Sequence, residues 1–274
     1  MKRRALLAGA FAAAAGSARA EAPAGEIAGV PADKTAEGVP VLTYHRLDPL
    51  ASHSGTIVTT PVFAEQMAYL ATNRVHVAPL RDVLPVAHGA ALLGPTVAIT
   101  ADDGWRTVYT EMFPIIREHR FPVTLFINPP MIGHGGAYLT WPMITEMVKS
   151  GLVDVQAHTL HHPNFNTEHA KRDPASYTAF VKTEIAGCRA PITAALGLPA
   201  DMLAWPFGIH NATLDAAAEE AGYIAAFALG SRPLANGDPT IALPRLQIYD
   251  TDRAPRFGWI AAGHPRQQLK KVVA

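Results

Sequence analysis

Short apolar runs of strand type alternate with segments of helical periodicity about six or seven times along the chain, and this alternation constrains the fold more than any other feature. The strand-type runs open with VPVLT at residue 39. They continue at 95–100 and in FPVTLFIN (121–128), LVDVQAH (152–158), MLAWPFG (202–208), YIAAFAL (223–229) and IALPRLQIY (241–249). Between them, Thr60-Pro61 opens a helical pattern with Phe63, Met67 and Leu70 on one face. Tyr109, Met112, Phe113 and Ile116 recur at the same spacing. Further helices are expected at 141–149, closed by Gly151, at 179–196, closed by Gly197, and from a cap at Asn211 to Gly222. Strands that alternate with helices in this way join as a parallel sheet, so the class is α/β. The length allows a (β/α) barrel or a doubly wound sheet. No G-x-G-x-x-G follows an early strand, and the dinucleotide-binding version loses support. A barrel would place its chemistry just past the C-terminal ends of the strands.

Polar residues stand at those positions. His45 follows the first run, Asp102 and Asp103 the second, and His158 the fourth; Trp205 and Phe207 end the fifth, and Arg245 lies in the last. In HTLHH (158–162), imidazoles four apart can share one face of a turn and bind one metal. Neutral imidazole suits zinc, and one carboxylate completes a three-ligand site with a position left for water. On spacing alone, His161 or His162 can be the second imidazole. A metal also explains two adjacent carboxylates, because its charge favours both in ionised form. One then binds metal, and its neighbour takes a proton from water whose pKa the metal lowers.

The ordered set TADDG, HTLHH and WPFG resembles the polysaccharide deacetylases of carbohydrate esterase family four. VPVLTYHRL, FAEQMAYL and LTWPMITEMVKSG resemble the branch acting on poly-β-1,6-N-acetylglucosamine, over roughly residues 39–250. The resemblance implies a distorted (β/α) barrel of about seven strands, a single catalytic domain at 39–274. It implies Asp102 as general base and Asp103, His158 and His162 as ligands of a divalent metal, usually Zn2+, with Co2+ or Ni2+ in some members. The implied reaction is hydrolysis of an N-acetyl group, freeing acetate and a glucosamine unit. Ala101 stands where the family carries phenylalanine, and Trp205 where an arginine commonly contacts the base; Arg245 is the candidate replacement. The family's Leu-x-x-His motif, which normally supplies the acid, is absent, and His264 has the wrong spacing. His45, Trp205 and Phe207 are the candidate substrate contacts. Rival readings are a deacetylase of chitin oligomers or peptidoglycan, and an impaired polysaccharide-binding protein lacking the acid.

Composition bounds the rest. Lysine plus arginine equals aspartate plus glutamate, 23 each, so net charge makes no case for nucleic acid. Residues 1–20, MKRRALLAGAFAAAAGSARA, read as an export signal of the general or twin-arginine type, with cleavage after Ala18-Arg19-Ala20. Its apolar stretch is too short to anchor the mature chain in a bilayer, which takes about 20 residues. A bacterial periplasmic or secreted location follows. Residues 21–38 read as a flexible tether rich in Ala, Gly and Pro. Cys188 is the only cysteine, which excludes an internal disulfide and suits a small buried apolar residue.

Overall fold

The structure, a computed structural model, describes residues 38–50 and 55–271. The expected export signal and all of the tether except Gly38 lie outside those residues. Seven parallel strands form the sheet's main body: β1 (Val41–Tyr44), β2 (Thr96–Asp102), β3 (Val123–Ile127), β4 (Val153–Ala157), β5 (Met202–Ala204), β6 (Ala225–Gly230) and β7 (Leu243–Gln247). Each pairs with its neighbour in sequence, and β1 pairs with both β2 (Tyr44↔Ala101) and β7 (Leu42↔Leu246), which closes the barrel. An eighth strand, His76–Val77, lies against the start of β2. The ring is uneven: β5 has three residues and meets β4 through Ala157↔Leu203. A single α/β domain with a distorted seven-stranded barrel is therefore the observed architecture.

Side chains on a strand alternate between faces, and the burial pattern sorts accordingly. Val41, Ala98, Phe126, Met202, Ala204, Ala225, Phe227 and Leu243 form one cluster, the lumen; Leu80, Val83 and Val86 join them and plug its floor. Leu42, Tyr44, Ile99, Ala101, Leu125, Val155, Leu203 and Trp205 belong to the other cluster, between the strands and the helices. The helix Thr60–Thr72 buries Phe63, Met67 and Leu70, as its spacing requires.

One expected helix is two. Residues 174–196 form Pro174–Ala186 and Arg189–Leu196. The first begins earlier than its apolar pattern indicates, because Asp173 caps it through the amides of Ala175 and Ser176. The break falls at Gly187-Cys188, and Pro191 sits in the first turn of the second helix, where a missing N–H costs little. Cys188 is buried, and burial pushes its thiol up to about 12. Among the described residues, no helix is long and apolar enough to cross a membrane.

Candidate metal centre

Ala98, Thr100 and Asp102 alternate into the lumen along β2, with Asp102 at its upper end. Its carboxylate is buried and meets Arg245 of β7 through two parallel bonds, Nη1 to Oδ1 and Nη2 to Oδ2, each 2.7 Å. Arg245 is fully buried; it also donates to Thr100 Oγ1 at 3.2 Å, and its guanidinium lies 5.1 Å from the Phe126 ring centroid. Burial alone would raise the Asp102 pKa, but Arg245 and His158 outweigh it and hold the carboxyl below its ordinary value.

Asp103 would point away from the lumen if the strand continued. Instead it adopts φ 70° and Gly104 φ 73°, so the chain turns and both carboxylates reach the mouth. A side chain at Gly104 would be strained at that φ, and its Cβ would stand 3.0 Å from Ile132 Cδ1, which would have to shift. Asp103 Oδ1 lies 3.5 Å from Nε2 of His158 and 3.5 Å from Nε2 of His162. The donor atoms of these three residues all lie within 4.8 Å of one another. His158 Nδ1 donates to the carbonyl of Ala204 at 2.8 Å, and since a carbonyl can only accept, the neutral ring carries its lone pair on Nε2, facing Asp103. Burial lowers the His158 pKa, yet Asp102 and Asp103 together carry it above the ordinary value. Burial, with His158 beside it, pushes His162 down to about 4, so this imidazole is neutral at physiological pH. Two imidazoles and one carboxylate in this geometry fit a zinc-type divalent cation.

His161 is not part of the cluster. Its ring and backbone N–H both bond the buried carboxylate of Glu184, at 2.7 and 2.8 Å. His162 reaches the centre because Thr159 and His162 both take positive φ, 62° and 54°. A β-branched residue in that region is strained. Asn128, at the top of β3, donates to the carbonyls of His158 and Thr159, and Thr159 Oγ1 accepts from the His162 amide at 3.2 Å. His45 completes the mouth: the Tyr44↔Ala101 register puts it beside Asp102. Its buried Nδ1 has no hydrogen-bond partner among the described residues. Burial lowers its pKa, while Asp102 and Asp103 act in the opposite direction.

Residues 91–226 match the family model for polysaccharide deacetylase. They belong to a polysaccharide deacetylase domain. The chain is 24% identical over 259 residues to the poly-β-1,6-N-acetyl-D-glucosamine N-deacetylase of Escherichia coli K12, covering 80% of this chain and 38% of that protein. It thus spans about two fifths of the length of that relative. It is also 24% identical over 199 residues to the enzyme of the same name from Staphylococcus aureus, covering 70% of this chain and 68% of the relative. Solved structures share the fold, two of them as follows. IcaB from Ammonifex degensii aligns with a TM-score of 0.70 at 25% identity, over 83% of this chain and 98% of that one. The Streptococcus pyogenes deacetylase PplD aligns at 0.72 and 19%, over 81% and 97%.

Not every candidate belongs to the mouth of the deacetylase domain. Trp205 does not: it is fully buried, its indole N–H donates to the Ile241 carbonyl at 2.9 Å, and it packs edge-on against Phe165. The reason is strand parity, since Met202 and Ala204 face the lumen and Leu203 and Trp205 face the helices. Phe207 takes the exposed position instead, at 56% exposure and φ 57°, with its ring 4.7 Å from that of His162. Asn128, Glu184 and Trp105 lay outside the sequence reading of the deacetylase site. Asn128 carries a readable signal, as a polar residue ending a buried strand. Glu184, on a helix far along the chain, carries none.

Proposed function

We propose that this chain is an exported, divalent-metal-dependent N-deacetylase of an N-acetylglucosamine polysaccharide, with poly-β-1,6-N-acetylglucosamine as the leading substrate. The observation that carries this reading is a three-donor cluster beside a separate buried carboxylate that Arg245 holds ionised. The names of the E. coli and S. aureus relatives support the choice of polymer.

Asp103, His158 and His162 would hold the metal. When bound, it supplies a Lewis acid that polarises the acetyl carbonyl and makes water acidic enough to react near neutral pH. Arg245 occupies one lone-pair direction on each oxygen of Asp102, and a carboxylate has about four. Asp102 therefore keeps acceptor capacity, and its Oδ2 lies 3.8 Å from His158 Nε2, on the side of the cluster. It takes the proton that the attacking water must lose. On the opposite strand neighbour, His45 gives a proton to the departing amine, the acid role that Leu-x-x-His fills elsewhere. With His45 as the acid, turnover does not require the absent Leu-x-x-His motif. Phe207 offers an exposed ring beside His162 against which a sugar face can pack.

Purified chain loaded with zinc is expected to release acetate from poly-β-1,6-N-acetylglucosamine faster than from chitin oligomers or peptidoglycan. Preference for either of the latter would replace the substrate while keeping the reaction. No acetate from any of the three, with metal bound, would sink the enzymatic reading. In the same assay His45→Gln should lower kcat by about 10²–10⁴-fold, the range for a lost acid or base, and remove the fall in rate as pH rises through the His45 pKa, which burial holds below the ordinary imidazole value.

A further inference from the structure

Trp105 stands two residues beyond Asp103, and its indole N–H donates to Asp103 Oδ2 at 3.0 Å. The other oxygen, Oδ1, is the one that lies 3.5 Å from both histidine Nε2 atoms. The two oxygens of one carboxylate therefore have different partners. An indole has one donor and no acceptor, so it can play no second part in this contact.

The ring also has packing partners of its own. Tyr138 stacks on it with centroids 4.7 Å apart and planes at 18°, and the Arg46 guanidinium lies 5.7 Å from the ring centroid. The two segments are tied by backbone bonds, Arg106 N–H to Ala137 O at 2.9 Å and Leu139 N–H to Gly104 O at 2.8 Å. The stacked Tyr138 already engages the indole π-surface. What the indole presents to the site is its N–H edge.

A free carboxylate can ligate a divalent cation through one oxygen or chelate it through both, and chelation fills a position that a reactant needs. We propose that Trp105 is a positioning residue that restricts Asp103 to offering a single oxygen to a divalent cation, which preserves an open coordination position for water and the acetyl oxygen. The inference rests on the metal reading above.

The test uses the full chain loaded with Co2+, whose visible absorption is strong at four-coordinate sites and weakens as the coordination number rises. Two changes remove the donor: Trp105→Phe, and replacement of Trp105 by 3-benzothienylalanine, an isostere that lacks only the N–H. Both are expected to weaken the Co2+ band several-fold, to leave Co2+ affinity equal or tighter, and to lower acetate release by about tenfold or more. An isostere spectrum identical to that of the unsubstituted chain would overturn the proposal. So would loss of Co2+ binding in the isostere, which would make Trp105 a scaffold residue only. If the unsubstituted chain takes up no Co2+, the metal reading itself fails, and this outcome is distinct from the other two.

Discussion

Asp102→Asn is expected to lower acetate release by about 10²–10⁴-fold, the usual range for removing a general base, while the chain still binds one divalent cation. The two halves of the result depend on different atoms. The candidate metal donors are Asp103, His158 and His162, and Asp102 is not among them. An amide in place of the carboxylate cannot accept the water proton. It also cannot satisfy Arg245, because one of the two guanidinium N–H groups would meet an NH2. Some loss of stability therefore accompanies the loss of rate. Metal titration, thermal unfolding and acetate release on one preparation separate the three effects. If Asp102→Asn loses its metal, the roles assigned to the two aspartates are reversed.

How much of this centre was legible in the sequence depends on how each residue arrives there. His45, Asp102, His158 and Arg245 arrive by strand parity. Val41 and Ala98 line the lumen, and the residues reached from them in steps of two turn inward as well. That rule, once the strands are placed, needs no family knowledge. Applied to 202–205, it also turns Trp205 outward, away from the mouth where a substrate contact would stand. Asp103, His162 and Phe207 arrive differently. Each breaks parity by adopting a left-handed conformation that non-glycine residues rarely take. No propensity or periodicity predicts such a turn, and Asn128, which helps hold one of them, lies some 30 residues away along the chain. Spacing therefore left His161 and His162 equivalent, and only the resemblance separated them. The boundary at 187–188 escaped for a related reason, because continuous apolar periodicity conceals a break set by Gly187 and Pro191.

Arg245→Met should produce the largest change in stability, and the change should depend on pH. Breaking a buried ion pair from one side costs about 3–5 kcal/mol, because the surviving charge stays buried without its partner. In the unsubstituted chain, Asp102 titrates below its ordinary value. Its ionisation therefore stabilises the fold above the ordinary carboxylate pKa, and the contribution is lost as pH falls through the lower folded value. Without Arg245, only His158 and His45 oppose burial, and the folded pKa of Asp102 rises. Ionisation then stabilises the fold less than it does in the unsubstituted chain, and the shortfall is complete once pH exceeds both folded values. The difference in unfolding free energy between the two chains is thus expected to be widest near pH 7 and to shrink under acid conditions. Denaturant titrations from pH 4 to 8, run with a chelator so that metal linkage does not contribute, measure it directly. The rate follows the same logic: the base works only as a carboxylate, so the acid limb of kcat/KM moves to higher pH. Asp102→Asn combined with Arg245→Met should cost less than the sum of the two single changes, as expected for residues in direct contact. A stability difference that does not vary with pH would mean that packing of the Arg245 stem against Phe126, rather than its charge, holds the top of the barrel together.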